Sequence, residues 1–202
     1  MRRSLVIKFI LGGIGLTALL LAIPALQDNR ERKLEVYRAF VSAYSEGNRV
    51  NLANVTTRFD AESAGATTCA PTILATALLS DRLRTTTINQ SDFQSSFVHV
   101  VDPEDQAVQV RIHDPSMNIR SEDNIDRAVA DAFDAGFLQV SEVGFDITGQ
   151  HAMLTYSFIC GMLCGHGGTA LFDRVGDRWV WSHRRCGSEW ISRRVRFGPA
   201  LP

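Results

Sequence analysis

The chain has 202 residues, of which 45% are hydrophobic and 21% charged, and its formal net charge is −1. This composition is that of an ordinary globular protein. Because the charge is close to neutral, it provides no overall attraction for nucleic acid, and we expect no nucleic-acid partner.

The first 26 residues are predicted to be an export signal or a membrane anchor. A short basic lead, MRRSLVIK, precedes an uncharged apolar run from Phe9 to Leu26, about as long as the shortest membrane-spanning helices. A basic lead before an apolar run favours insertion with the N-terminus inside. We expect a single-pass protein of the inner membrane, with residues 27–202 forming one domain outside the cytoplasm. The alternative is cleavage after Ala25, which would release a periplasmic or secreted protein.

The segment after the apolar run is expected to begin with an amphipathic helix. Residues 30–46 carry apolar side chains at helical spacing with a polar opposite face, and a Gly-Asn pair ends the pattern. The apolar stripe consists of Leu34, Tyr37, Phe40, Val41 and Tyr44. A short strand within 50–55, a loop over 61–68 and a second helix over 70–84 are predicted next.

The middle of the chain combines strand and helix signals. A capped helical turn is expected at Ser91, and the alternation in QAVQVRIHD, residues 106–114, predicts a strand. Residues 121–136 carry the clearest helix pattern, since Ser121 can cap the start, acidic residues fill the first turn and Gly136 closes it. The expected apolar stripe of this helix is Ile125, Val129 and Phe133.

From residue 137 onward the pattern has the period of two that is typical of β-strands. Strands are predicted over 137–146 and 151–160, joined by a hairpin turn at ITGQ. Further strands are predicted in TALFDR, RWVWSHRRC and EWISRR. Helices first and strands last predict an α+β fold, in which the N-terminal helices pack on a C-terminal antiparallel β-meander.

The stretch ICGMLCGHGG, residues 159–168, places two of the four cysteines in a predicted glycine-rich loop. Outside the cytoplasm paired thiols oxidise, so an even number of cysteines favours two disulfides, with three possible connectivities. We expect Cys160 to pair with Cys164 across the loop and Cys69 to pair with Cys186. The second bridge would tie the helical half to the sheet and stabilise the fold by a few kcal/mol.

Two alternatives for this stretch involve a bound metal or haem. A zinc site would use Cys160, Cys164 and His166, with Cys186 or His183 as the fourth ligand. The spacing is poor, because structural zinc sites prefer a second close pair of ligands. A c-type haem attachment requires histidine directly after the second cysteine, where this chain has Gly165. We therefore expect no metal and no cofactor.

A third alternative is catalysis by a thiol. Cys164 would be the nucleophile, and His166, His183 or His151 would be the base. Residues two apart on a strand point to the same face, so Cys164 and His166 can meet in principle. A cysteine in a disulfide has no nucleophilic thiol, so the alternative depends on Cys164 being free.

Aromatic and basic residues near the C-terminus are weaker candidates for binding. Trp179 and Trp181 share one face of a predicted strand, where such a pair is usually core, and the functional alternative is a stacking platform for a sugar or peptide. Arg184 and Arg185 begin an arginine cluster. The cluster is either a solvated surface or a site of contact with anionic lipid headgroups or an acidic protein partner near the membrane.

The last third of the chain resembles an uncharacterised family of bacterial exported or membrane-anchored proteins. The residues that carry the resemblance are SEVGFD at 141–146, CGMLCGHGG at 160–168, LFDRVGDRWVW at 171–181 and WIS at 190–192. Cys69, Cys186 and His166 depart from the family pattern. The resemblance implies a fold and an envelope location, and no activity accompanies it.

Together these observations predict an envelope-located, non-enzymatic interaction or binding protein. Its expected partners are the membrane, through the N-terminal helix, and an envelope protein or anionic lipid. The alternative is a small hydrolase or thiol enzyme that uses Cys164 and His166.

Overall fold

The structure is a computed structural model that describes residues 30–60, 62, 64–73, 85–119, 124–182, 184 and 186–191. The predicted membrane segment 9–26 and most of the predicted helix 70–84 lie outside these residues. Within the described ranges, no helix combines the length and apolar character that a membrane crossing requires.

The described helices and strands follow one another in a mixed order. The helices are α1 (30–45), α2 (Ala66–Cys69), α3 (Pro103–Ile112), α4 (Pro115–Asn118) and α5 (Ile125–Ala135). A 3-10 turn spans Gln90–Asp92 and residues 71–73 are helical. The strands are β1 (Val50–Ala53), β2 (Val98–Val101), β3 (Phe137–Val140), β4 (Gly144–Phe145), β5 (His151–Gly161), β6 (Cys164–Val175), β7 (Arg178–Trp181) and β8 (Trp190–Ile191).

All eight strands belong to one sheet, in the order β2-β1-β3-β5-β6-β7, with β4 paired to β5 and β8 paired to β6. The strands from β3 onward pair antiparallel, as the meander prediction requires. The α+β class is therefore confirmed. However, β1 lies parallel to both β2 and β3, so two strands from the N-terminal half extend the sheet. The predicted division of the chain into N-terminal helices and C-terminal strands is therefore only partly correct.

Helix α1 covers one face of the sheet and forms most of the core there. Its predicted stripe is buried except for Tyr44, which is half-buried. Leu34, Tyr37 and Phe40 are fully enclosed and pack with Leu154 and Phe158 of β5. Burying a large apolar side chain of this kind contributes about 1.5–3 kcal/mol relative to leaving it exposed. The apolar stripe therefore fixes α1 on the sheet.

A polar network fastens the start of α1 to the segment after β3. The Glu142 carboxylate is buried, and it pairs with Lys33 Nζ at 2.5 Å and accepts a hydrogen bond from the Thr56 hydroxyl. The Tyr37 hydroxyl donates to the Ser141 carbonyl at 3.2 Å. Buried charge is tolerated when it is paired and hydrogen bonded, as Glu142 is here.

The second face of the sheet is also covered, which the sequence did not predict. Val110 of α3 packs with Ala53 and Phe137, while Ile73 packs with Met153 in a separate cluster. These strand residues alternate with the ones that contact α1, so they point to the opposite face.

The segment predicted as a strand over 106–114 is helical, so this prediction is wrong. Asp102 caps α3 by accepting hydrogen bonds from the amides of Glu104 and Asp105, and Pro103 occupies the first helical position. These are strong helix-start features. Of the alternating apolar residues only Val110 is buried, and its neighbours Val108 and Ile112 are exposed.

Helix α5 was predicted correctly in place but wrongly in its buried face. The buried residues are Ala128, Ala132 and Ala135, whereas the expected stripe residues Ile125 and Phe133 are 38% and 37% exposed. The small alanine side chains allow the helix to lie close to its neighbours. The predicted cap Ser121 lies outside the described residues.

Candidate functional site

The four cysteines form the two disulfides that the sequence predicts. Cys160 is bonded to Cys164 with a Cα–Cα distance of 5.0 Å, and Cys69 is bonded to Cys186 with a Cα–Cα distance of 5.9 Å. The first bridge joins the ends of β5 and β6 beside the turn that connects them. The second joins α2 to the segment between β7 and β8. No free thiol remains.

The two disulfides decide whether Cys164 can act as a nucleophile with a histidine as its base. Cys164 is buried and bonded to Cys160, so it has no thiol to act as a nucleophile. His166 hydrogen bonds to the Tyr44 hydroxyl, and His151 pairs with Asp173 at 2.8 Å. His183 lies outside the described residues.

The cysteines are equally unsuited to a metal. Cys186, proposed as the distant zinc ligand, is bonded to Cys69 and is not joined to the other three candidates. In the part of the chain that the structure describes, no group of three or more His, Cys, Asp or Glu side chains is placed to hold a metal ion.

Three of the four glycines of the predicted loop, Gly165, Gly167 and Gly168, lie within strand β6. Gly161 ends β5, and the actual turn is only Met162 and Leu163. The loop prediction is therefore wrong. The glycines leave room for Trp190 of β8, which pairs with Gly167 in the sheet. A Cβ atom on Gly167 would lie 2.5 Å from Trp190 Nε1, and one on Gly165 would lie 3.3 Å from the same indole ring. Glycine is needed because the indole crosses the strand at this distance.

A cleft of about 720 Å³ lies at the end of the sheet where β1 and β2 begin. The end of α1, both of these strands, α3, α5 and the paired strands β5 and β6 all contribute to it. Its lining includes Tyr44, Ser45, Asn48, Arg49, Asn51, His99, Gln106, Gln109, His113, Asp131, Phe133, Asp134, Phe158 and His166. We call it the histidine cleft, because His99, His113 and His166 all line it.

The floor of the histidine cleft is aromatic. The rings of Tyr44 and His166 are stacked with centroids 5.8 Å apart, and the Phe158 ring lies 5.4 Å from His166. Burial lowers the pKa of His166 and raises the pKa of Tyr44, so both side chains are neutral at pH 7. The phenol can therefore donate its hydrogen bond, 2.8 Å long, to Nε2 of the neutral imidazole.

The rim of the histidine cleft is polar and partly charged. Gln106 and Gln109 project from α3, and Asp131 projects from α5. Gln106 also donates to the carbonyl of Ala135 at 2.6 Å, which joins the two helices at the rim. The rim thus presents amide, carboxylate and imidazole groups, while the floor presents flat apolar rings.

The C-terminal binding candidates lie elsewhere. Trp179 is buried against Phe145, as its interpretation as a core residue predicts, and Trp181 is partly buried and packs against the core beside Phe40. Arg184 is exposed and donates to Asp173 at 3.3 Å. Arg185 lies outside the described residues. Neither the two tryptophans nor Arg184 line the histidine cleft.

Among the residues of the cleft, only His166 was a functional candidate from the sequence, since Tyr44 and Phe133 were predicted only as parts of apolar helix stripes. Three of the chain's five histidines line it, yet they come from β2, the residue after α3, and β6. No local spacing connects them, since parallel pairing of β1 with β2 and β3 brings these segments together.

Comparison with protein-family models, with curated proteins and with solved structures gives no match. The resemblance to exported bacterial proteins stays a prediction, and function must be inferred from the geometry above.

Proposed function

We propose that this chain is an extracytoplasmic, non-enzymatic binding protein, held at the inner membrane through residues 9–26, whose ligand occupies the histidine cleft. Two observations support the proposal. All four cysteines are bridged, as expected in an oxidising compartment. The histidine cleft combines an apolar floor with polar groups around it, which is the usual make-up of a small-molecule site.

The lining favours a saccharide as the ligand. A sugar ring has a flat face of C–H groups that can lie against the rings of Tyr44, Phe158 and His166. Its hydroxyl groups both donate and accept hydrogen bonds, and they match the amide groups of Gln106 and Gln109 and the acceptor oxygens of Asp131 and Asp134. The aromatic floor with its amide and carboxylate rim is the single observation that carries the proposal.

A titration with chitotriose, a soluble oligomer of N-acetylglucosamine, tests the proposal. We expect amide chemical shifts of the cleft residues to move on addition of about 1–10 mM sugar, in the range of weak single-site binding. Asp131→Asn and Gln109→Ala should each weaken binding. The matched control is Asp126→Asn on the same helix, because Asp126 is exposed and lies outside the cleft.

Three outcomes would count against the proposal. In the first, the cleft resonances fail to move; in the second, the Asp131→Asn protein binds the sugar as tightly as the Asp126→Asn protein does. In the third, the sugar is shortened during the titration. The last result would make the protein a hydrolase. Alkylation of the unreduced protein should label no cysteine, and a reactive thiol at Cys164 would restore the thiol-enzyme alternative.

A further inference from the structure

A second concavity lies at the opposite end of α1 from the histidine cleft. It has a volume of about 330 Å³, and we call it the arginine groove. Its lining consists of Glu31, Arg32, Glu35, Thr148, Gly149, Gln150 and Arg174. From these residues we propose that the arginine groove binds a phosphate-type anion between Arg32 and Arg174.

The two guanidinium groups are held in place by aromatic rings. Arg32 Cζ lies 4.7 Å from the centroid of the Phe145 ring, and Arg174 Cζ lies 5.8 Å from that of Trp179. The two rings also contact each other, with centroids 5.7 Å apart. Stacking on aromatic faces leaves the N–H groups at the guanidinium edges directed sideways, where they can bind an oxyanion.

Among the described residues neither arginine forms an ion pair with a carboxylate, although Glu31 and Glu35 line the groove with them. The described ion pairs involve other cations, and Glu31, the acidic residue next to Arg32, pairs with Arg38 at 2.7 Å. Moreover, Arg32 Nε is buried and has no hydrogen-bond partner in the described structure. A buried donor without an acceptor is costly, so a small adjustment of the Arg32 side chain that brings Nε to a bound anion would relieve that cost.

The hairpin turn before β5 completes the groove with a rigid wall. Asp146 is buried and accepts hydrogen bonds from the Thr148 hydroxyl at 2.5 Å and from the Gln150 amide at 2.9 Å. At Gly149 the backbone is left-handed, and a Cβ atom there would lie 2.5 Å from Arg32 Nη2. Glycine therefore leaves the space that the guanidinium uses.

A phosphate group suits this arrangement because guanidinium groups bind phosphate oxygens in a bidentate manner. The group can belong to a soluble anion or to a lipid headgroup. The arginine groove is formed by the first turns of α1, a few residues after the predicted membrane segment. The lipid source thus depends on the proposed location, whereas binding of soluble phosphate does not.

The test uses the full chain, labelled with ¹⁵N-arginine, in a neutral detergent. Inorganic phosphate is added at constant ionic strength against potassium chloride, and the Nε–H resonance of Arg32 is followed. We expect it to shift with phosphate and not with chloride. A second sample in phosphatidylcholine nanodiscs, with and without about 30% phosphatidylglycerol, separates the sources. A shift in both arms assigns a lipid phosphate, and a shift with inorganic phosphate alone assigns a soluble anion.

Variants give a quantitative test of the same site. Arg32→Gln, followed through the Nε–H resonance of Arg174, and Arg174→Gln, followed through that of Arg32, should each weaken phosphate binding about tenfold or more, since each removes a charge-assisted contact. Arg178→Gln is the matched control, because Arg178 is exposed and outside the groove. Glu35→Gln should strengthen binding severalfold by removing a carboxylate from the groove, and a misfolded protein would not produce this gain.

The proposal is overturned if neither phosphate nor phosphatidylglycerol shifts the Arg32 resonance, or if chloride shifts it equally. It is also overturned if Arg178→Gln weakens binding as much as Arg32→Gln, because the effect would then reflect net charge alone.

Discussion

Loss of the Cys69–Cys186 disulfide should destabilise the fold much more than loss of the Cys160–Cys164 disulfide. A bridge restricts the unfolded chain, and the lost entropy grows with the logarithm of the loop that it closes. The bonded residues are 117 positions apart in the first case and 4 in the second. The chain-entropy relation then gives about 5 kcal/mol for the long loop and about 2 kcal/mol for the short one at 25 °C.

The assay is urea unfolding of two double variants, Cys69→Ala/Cys186→Ala and Cys160→Ala/Cys164→Ala, beside the unsubstituted protein. We expect the free energy of unfolding to fall by about 3 kcal/mol more for the first variant than for the second. An equal or larger loss in the second variant would refute the reasoning. The short bridge would then act mainly by fixing native geometry at the end of β5 and β6, and not by restricting the unfolded chain.

Two further predictions concern the strand β6. Gly167→Ala places a methyl group against both Trp190 and the Tyr156 carbonyl, so it should lower the free energy of unfolding by about 1–3 kcal/mol. Gly168→Ala should cost less, because its nearest neighbour is the Glu189 side chain at 3.3 Å; equal losses would argue against a specific fit of the indole. Since burial lowers the pKa of His166 in the fold, the unfolded chain takes up the proton first as the pH falls. Stability should therefore decline as the pH falls below the unfolded pKa of about 6.5, and His166→Gln should flatten this dependence in unfolding measured from pH 7.5 to 5.5; an unchanged slope would contradict the assignment.

Local sequence patterns correctly predicted the elements whose structure depends mainly on residues close together in the chain. The stripe on residues 30–46 is repeated over four turns, and the structure buries it in α1 as expected. The hairpin between β4 and β5 follows from a turn sequence between two alternating segments. The predicted extracytoplasmic location and an even count of cysteines indicated two bridges with three possible connectivities. The nearness of Cys160 and Cys164 in the sequence favoured the connectivity that the two bridges have.

The wrong predictions arose where two signals competed in the same segment. In α3 the alternation of Val108, Val110 and Ile112 suggested a strand, while Asp102 and Pro103 in front of it were the stronger signal for a helix start. A single capped first turn fixes the backbone, and the exposure of two of the three apolar residues followed from it. In α5 the larger apolar residues were expected inside, but close approach favoured the alanines.

The glycine-rich stretch could not be interpreted from its own residues, because its partner is Trp190, more than twenty positions later. Side chains alternate along β6, so Gly165 and Gly167 face the indole while His166 between them points to the other face, onto Tyr44. The three residues 165–167 thus serve two surfaces. The glycines leave space for Trp190 of β8, and His166 contributes to the floor of the histidine cleft. Cys164, which the motif suggested as a nucleophile, is instead held in a structural disulfide. The group of this stretch that is available to a ligand is the His166 imidazole, two residues later.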